Sequence, residues 1–283
     1  MLLLLAASLL WAFSFGLIKG QLAGLDPVAV ASTRLLLAAV VFAPLMLRRP
    51  LERPLIWRAM ALGVVQFGLM YVLYIASFAW LPAWKVALFT IFTPLYVVVM
   101  DDLARRRLTL RHLLAAGAAV LGAALVLQGD PSGADWRGIL LLQGANLCFA
   151  WGQLRFAGLQ KMAAGRDASL VGWMYLGAFL VTGMAFLARS GGALPQYAQW
   201  TPSARWALLY LGLLPTGLGF YLWNRGAART TAGVLAVANN LKVPLAVLAS
   251  WLVFGESASY FRAGAGLAVM VLALVLLAPK RIK

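Results

Sequence analysis

Lys242 poses the hardest physical question in this sequence. It sits midway along an apolar stretch, Ala232 to Phe254, with Asn239 one turn before it on the same face and Pro244 two residues after it. An ammonium at that depth is costly unless it meets water, freed backbone carbonyls or an anion. The eight acidic residues, Asp26, Glu52, Asp101, Asp102, Asp130, Asp135, Asp167 and Glu256, all fall at or beyond the ends of apolar stretches. No carboxylate is therefore spaced to pair with Lys242 from mid-segment. Either the ammonium binds the carboxylate of a solute, or carbonyls and water hold the ammonium in place.

Other residues have spacings that suit a lined pathway. Gln143, Asn146, Ala150 and Gln153 follow one another at helical intervals and draw a polar stripe down an apolar segment. Such a face turns inward, either to line a cavity or to hydrogen-bond across helices. Phe67, Tyr71, Tyr74 and Phe78 make an aromatic stripe, and the Tyr71 and Tyr74 hydroxyls require partners at depth. Thr90 and Thr93 precede Pro94, while Ser8, Trp11 and Trp151 add polar and aromatic surface to two further segments. Catalysis is not expected, because no nucleophile with a base and no metal set can be assembled from these residues. His112 stands alone at a segment end, and the single cysteine, Cys148, excludes an intrachain disulfide. No cofactor is implied.

The elements that must position these groups follow from composition. Of 283 residues 63% are hydrophobic and 11% charged, and the mean hydropathy is +0.88. That marks an all-α integral membrane protein. Apolar runs predict ten transmembrane helices at 2–22, 28–47, 57–79, 84–102, 112–128, 137–157, 170–189, 205–223, 232–254 and 261–278. The first, without a basic leader, is read as a retained helix. The net charge of +16 does not signal nucleic acid, since the basic residues cluster at segment ends. Arg48, Arg49, Arg53 and Arg58, then Arg105, Arg106, Arg107 and Arg111, then Arg155, Lys161 and Arg166, then Arg225 and Arg229, and finally Lys280, Arg281 and Lys283 occupy the even-numbered loops and the C-terminus. This asymmetry places both termini in the cytoplasm, and the expected location is a bacterial inner membrane. Trp57, Trp80, Trp84, Trp136 and Trp206 fall at helix ends, as interfacial belts do.

The two halves, 1–130 and 131–283, resemble one another. Ser8-Leu-Leu-Trp-Ala-Phe13 aligns with Asn146-Leu-Cys-Phe-Ala-Trp151, and Pro94 and Pro244 each fall near the middle of the fourth helix of their half. With five helices per half, the second must enter the membrane inverted, and the paired prolines point to hinges near a midplane site.

The Ser8-Leu-Leu-Trp11 opening, Arg34-Leu-Leu-Leu-Ala-Ala, Tyr71-Val-Leu-Tyr-Ile-Ala-Ser-Phe-Ala-Trp-Leu-Pro82, Tyr221-Leu-Trp-Asn-Arg-Gly-Ala-Ala-Arg229 and Val243-Pro-Leu-Ala-Val-Leu-Ala-Ser-Trp-Leu-Val-Phe-Gly-Glu256 together resemble the ten-helix EamA family of the drug/metabolite transporter superfamily. The resemblance covers the whole chain. It implies two five-helix bundles around a central cavity, carrying amino acids, related metabolites or drugs, usually outward. It also implies a structural tie for Arg34, where that family commonly has a basic residue. The sequence departs from the pattern at Asp101-Asp102, where Gly-Glu is usual, and at Lys242.

The expected activity is alternating-access transport of an amino acid or related small carboxylate. A lipophilic-cation exporter or a proton relay would require a carboxylate at depth. A nucleotide-sugar or drug carrier remains an alternative, because Lys242 suits phosphate equally well, and a non-transporting assembly partner is the alternative of another class. The expected partners are a small-molecule substrate and the bilayer, with the protein a monomer or weak dimer.

Overall fold

Asp26 shows how the helices begin. Its carboxylate accepts from the backbone N–H groups of Val28 and Ala29 at 2.9 and 2.8 Å, and Pro27 fills the first turn, where no N–H is needed. The Thr201 hydroxyl before Pro202 accepts from the Ala204 N–H at 3.2 Å in the same manner. The Thr201 cap explains why the eighth expected segment begins earlier than hydropathy alone predicts, at Pro202. The third also begins earlier, at Arg53-Pro54, with a proline in its first turn and no side-chain cap from Glu52. The sixth ends later, at Ala163, where Ala164 and Gly165 turn left-handed with φ of 47° and 83°.

The computed structural model describes residues 1–22, 24–77, 79–81, 83–126, 135–254 and 260–277. The helices are α1 (Leu2–Gln21), α2 (Pro27–Arg48), α3 (Arg53–Ser77), α4 (Ala83–Thr90), α5 (Thr93–Ala104), α6 (Leu110–Val126), α7 (Trp136–Ala163), α8 (Asp167–Arg189), α9 (Pro202–Ala227), α10 (Ala232–Phe254) and α11 (Tyr260–Leu277). There is no strand among the described residues. By length and composition α2, α3, α8 and α9 are able to cross a membrane. Leu114, Leu121, Leu140, Met184 and Leu272 stand exposed on the outside, an apolar coat suited to acyl chains rather than water.

The fourth expected segment is not continuous. It stops at Thr90 and resumes at Thr93, because Pro94 has no N–H and its ring displaces the carbonyl of Thr90, four residues back. The Thr93 hydroxyl donates to that carbonyl at 2.8 Å. By contrast α10 runs unbroken through Pro244, so paired prolines do not produce paired breaks. The Pro244 side chain, Phe78, Glu256, Asp130 and the terminal Lys280, Arg281 and Lys283 lie outside the described residues.

Among the described residues two helices contain a stretch of π-helix, Val64–Leu69 in α3 and Gly212–Gly219 in α9. A π turn leaves backbone carbonyls without their usual partners and favours functional positions. Around this frame α2 packs on α8, α5 on α10 and α6 on α11, while α1 contacts α9 and α10, and α7 contacts α3, α4 and α5. The α3/α8 crossing is close because Gly63 backs onto the Met174 backbone and Gly177 onto that of Met60, where a Cβ would collide.

Candidate substrate site

The broken α4/α5 segment leaves carbonyls that must be satisfied in a dry interior. Amide side chains do this. The Phe89 carbonyl accepts from Gln143 Nε2 and from Asn146 Nδ2, each at 3.2 Å. The Ile91 carbonyl accepts from Asn240 Nδ2 at 2.9 Å, and the same nitrogen lies 3.1 Å from the Ala119 carbonyl. Tyr96 donates to Gln143 Oε1 at 2.9 Å. Much of the polar stripe on α7 therefore hydrogen-bonds across helices, one of the two roles its spacing allowed, while Asn146 also stands on the wall of the adjacent cavity.

Beside the break lies a cavity of ≈ 130 Å³, room for about four waters. Its polar wall is formed by Lys242 from α10, Arg34 from α2, Thr90 and Thr93 at the break, Asn146 from α7 and Ser14 from α1. Its apolar wall is Trp11, Tyr71, Tyr74, Phe149 and Phe220. The Lys242 ammonium stands 5.8 Å from the centre of the Trp11 ring, a cation–π distance. No carboxylate lines the cavity among the described residues, and neither Lys242 nor Arg34 makes an ion pair there.

Arg34 combines two roles. Its Nε donates to Thr216 Oγ1 at 3.0 Å, tying α2 to the π segment of α9 as a structural residue would, yet its guanidinium lies over the Tyr71 ring at 5.2 Å and forms part of the wall. The π segment is held by several helices at once. Tyr175 of α8 donates to the carbonyls of Thr216 and Gly217 at 2.9 and 2.6 Å, and Trp11 Nε1 of α1 donates to the Pro215 carbonyl at 2.9 Å. Tyr71 and Thr216 hydroxyls lie 3.5 Å apart.

Below the cavity, toward the end where α2 and α9 finish and α8 begins, the interior is closed. Trp11, Phe149, Phe220 and the fully buried Trp223 pack with ring centres 4.9 to 6.2 Å apart. Under them Trp223 Nε1 donates to Gln153 Oε1, and Gln66 Nε2 to Asn224 Oδ1, both at 2.7 Å. At the rim Ser169 Oγ lies 2.9 and 2.7 Å from the Leu45 and Arg49 carbonyls, and Arg166 donates to the Pro50 carbonyl at 2.9 Å.

Of the residues expected to bind substrate, Lys242, Asn146, Trp11, Tyr71, Tyr74 and Thr90 are brought together. Five are not on the wall. Asn239 and Ser8 are buried and donate to the carbonyls of Leu235 and Leu4, four residues back on their own helices, at 3.0 and 2.8 Å. Gln143 and Gln153 make the interhelical bonds above. Trp151 points outward, 37% exposed, with the Arg155 guanidinium 5.8 Å over its ring. Sequence reasoning passed over Phe149, although in the alignment of the two halves it is Phe149 that falls opposite Trp11, and Trp151 falls opposite the equally exposed Phe13. Ser14, Phe220 and Thr216 carried no such signal.

Comparison with known proteins places these features in a family. The model of the EamA-like transporter family matches residues 1–128 and 136–278. A Pseudomonas aeruginosa protein named "Probable biotin transporter" is 40% identical over 275 residues, 96% of this chain and 95% of that one. An Escherichia coli "Biotin transporter" is 34% identical over 88% of this chain and 83% of its own length. A "Riboflavin transporter" of Rhizobium johnstonii is 27% identical over 75% of this chain and 67% of that one. A solved crystal structure superposes with a TM-score of 0.80 at 19% identity, covering 98% of this chain and 96% of the other, which shows a shared fold.

Proposed function

The chain belongs to the EamA-like transporter family, a multi-pass integral membrane protein that carries a small molecule, and from that premise we propose that its cargo is a small amphipathic carboxylate, with biotin the first candidate. The supporting observation is that two cations, Lys242 and Arg34, face one aromatic-walled cavity with no carboxylate among its described lining residues. A solute anion supplies the missing charge, and the rings receive its apolar body. The α-ammonium of an amino acid finds no acid there, so the expectation of amino acids gives way to a carboxylate without a cationic group. The names of the 40% and 34% identical relatives favour the same choice.

The movement in this reading is alternating access by two oppositely inserted five-helix repeats, 1–130 and 131–283, making ten crossings in a bacterial inner membrane. It is supported by the helix pairings, most of which are reproduced when each crossing is exchanged for the one five places on, and by π segments in the third crossing of both halves. Pro94 and Pro244 serve as hinges. The closed aromatic and amide layers below the cavity are the contacts that must part when the protein opens toward its basic end.

Uptake of labelled biotin into liposomes containing the purified protein tests the reading. Saturable flux, competed by other amphipathic acids but not by organic cations or amino acids, is expected. Absence of flux, or equal competition by amino acids, would overturn it.

A further inference from the structure

Arg34 and Lys242 occupy different depths. Arg34 lies seven residues beyond Pro27 at the start of α2, and Lys242 ten residues beyond Ala232 at the start of α10. At ~1.5 Å per residue they stand roughly 10 and 15 Å from opposite ends of helices that are roughly 33 Å long, about 8 Å apart along the pore. The Trp11 ring stands against Lys242 and belongs to the same wall as Arg34. The two side chains thus enter the cavity from backbone positions at different depths, an arrangement that suits a solute with an acceptor group at each end and its apolar middle against the rings.

The two cations also differ in what they offer. Nε of Arg34 is committed to Thr216 at 3.0 Å, which fixes the guanidinium plane, and Thr216 is itself fixed by Tyr175 through its carbonyl. The two terminal nitrogens hydrogen-bond to no other side chain among the described residues. They leave a rigid pair of donors that matches the two oxygens of a carboxylate. The Lys242 ammonium is a point charge on a flexible stem, suited to a single carbonyl oxygen. The geometry points to a polarised site, resting on the carboxylate reading above: Arg34 clamps the solute carboxylate with both terminal nitrogens, and Lys242 donates to a neutral carbonyl or urea oxygen at the opposite end. Thr216 is a positioning residue that acts through Arg34.

Matched acid and amide probes separate the two roles. Ligand-induced thermal stabilisation is measured for biotin and its primary amide, and for hexanoate and hexanamide, on the wild-type protein, Arg34→Gln, Lys242→Gln and Thr216→Val. The wild type is expected to bind each acid about tenfold more tightly than its amide, as loss of a charge-assisted bond entails. Arg34→Gln brings acid and amide to within about twofold. Lys242→Gln weakens biotin and biotin amide about equally and leaves the acid preference intact. Thr216→Val, which keeps the guanidinium but frees its plane, lowers the acid preference without abolishing it, and carries the test if Arg34→Gln does not fold. An acid preference that survives Arg34→Gln, or that vanishes only in Lys242→Gln, overturns the assignment. Stabilisation of the wild type by hexanoate but not by biotin sinks biotin as cargo while the hexanoate pair still decides the role of Arg34; stabilisation by no acid sinks both.

Discussion

Deep cations set the chemistry at the scale of single residues. Lys242 lines the cavity with its ammonium 5.8 Å from the centre of the Trp11 ring and no ion pair among the described residues, and removing an unpaired charge at depth relieves a desolvation penalty rather than breaking a contact. Lys242→Ala should therefore leave the unliganded protein at least as heat-stable as the wild type. It should also weaken substrate binding by roughly 10- to 100-fold, the loss of one charge-assisted bond. A thermal melt with and without ligand reads both quantities. A fall in unliganded stability would mean that the ammonium is held by protein carbonyls instead. Phe149 and Trp151, two residues apart on α7, provide a contrast, because one faces the cavity and the other the outside. Phe149→Ala should raise the KM for transport severalfold, about 1 kcal/mol of lost apolar contact, and Trp151→Ala should leave it unchanged. Equal effects of the two would remove Phe149 from the site.

At the scale of elements, what distinguishes this molecule is how it tolerates irregular helices. The break at Pro94 and the π segment of α9 expose carbonyls at mid-depth, and side chains of other helices satisfy them: Gln143, Asn146 and Asn240 at the break, Tyr175 and Trp11 at the π segment. Asn240 joins the Ile91 carbonyl at the break to the Ala119 carbonyl of α6. Asn240→Leu, close in volume but without donors, should destabilise the protein by about 1–2 kcal/mol through the orphaned carbonyls. The expected reading is a fall of a few degrees in the melting temperature, about 2–4 °C per kcal/mol in a chain of this size. An unchanged melting temperature would show that the break needs no such partner. The same irregularity places the hydroxyls of Thr90, Thr93 and Thr216 beside the cavity and the Arg34 anchor, so the features that cost helix hydrogen bonds also build the site.

Charge distribution and helix pairing act at the scale of the whole molecule. The arginine-rich even-numbered loops predict that both ends of the chain face the cytoplasm. A green fluorescent reporter fused to the C-terminus should fluoresce, and an alkaline phosphatase fused there should be inactive; the reverse pattern would invert the topology and the direction assigned to the closed aromatic layer. Composition and hydropathy by themselves determined that the chain belongs in a membrane, and the approximate place of its apolar segments, because lipid excludes polar backbone and side chains regardless of how the helices are arranged. They also singled out Lys242, since a charge at depth is costly in any packing. Only the tertiary structure decided which polar groups line the cavity and which bind other helices. Gln143, Asn146 and Gln153 share one face of α7 and all bond to other helices, yet of the three Asn146 alone stands on the cavity wall. Arg34, legible as a tie, becomes a wall of the site because the π turn of α9 brings Thr216 beneath its Nε. Periodicity specifies a face of a helix, but the partner that face meets depends on the breaks, π turns and close glycine crossings of its neighbours, and these are settled by contacts between residues far apart in the chain.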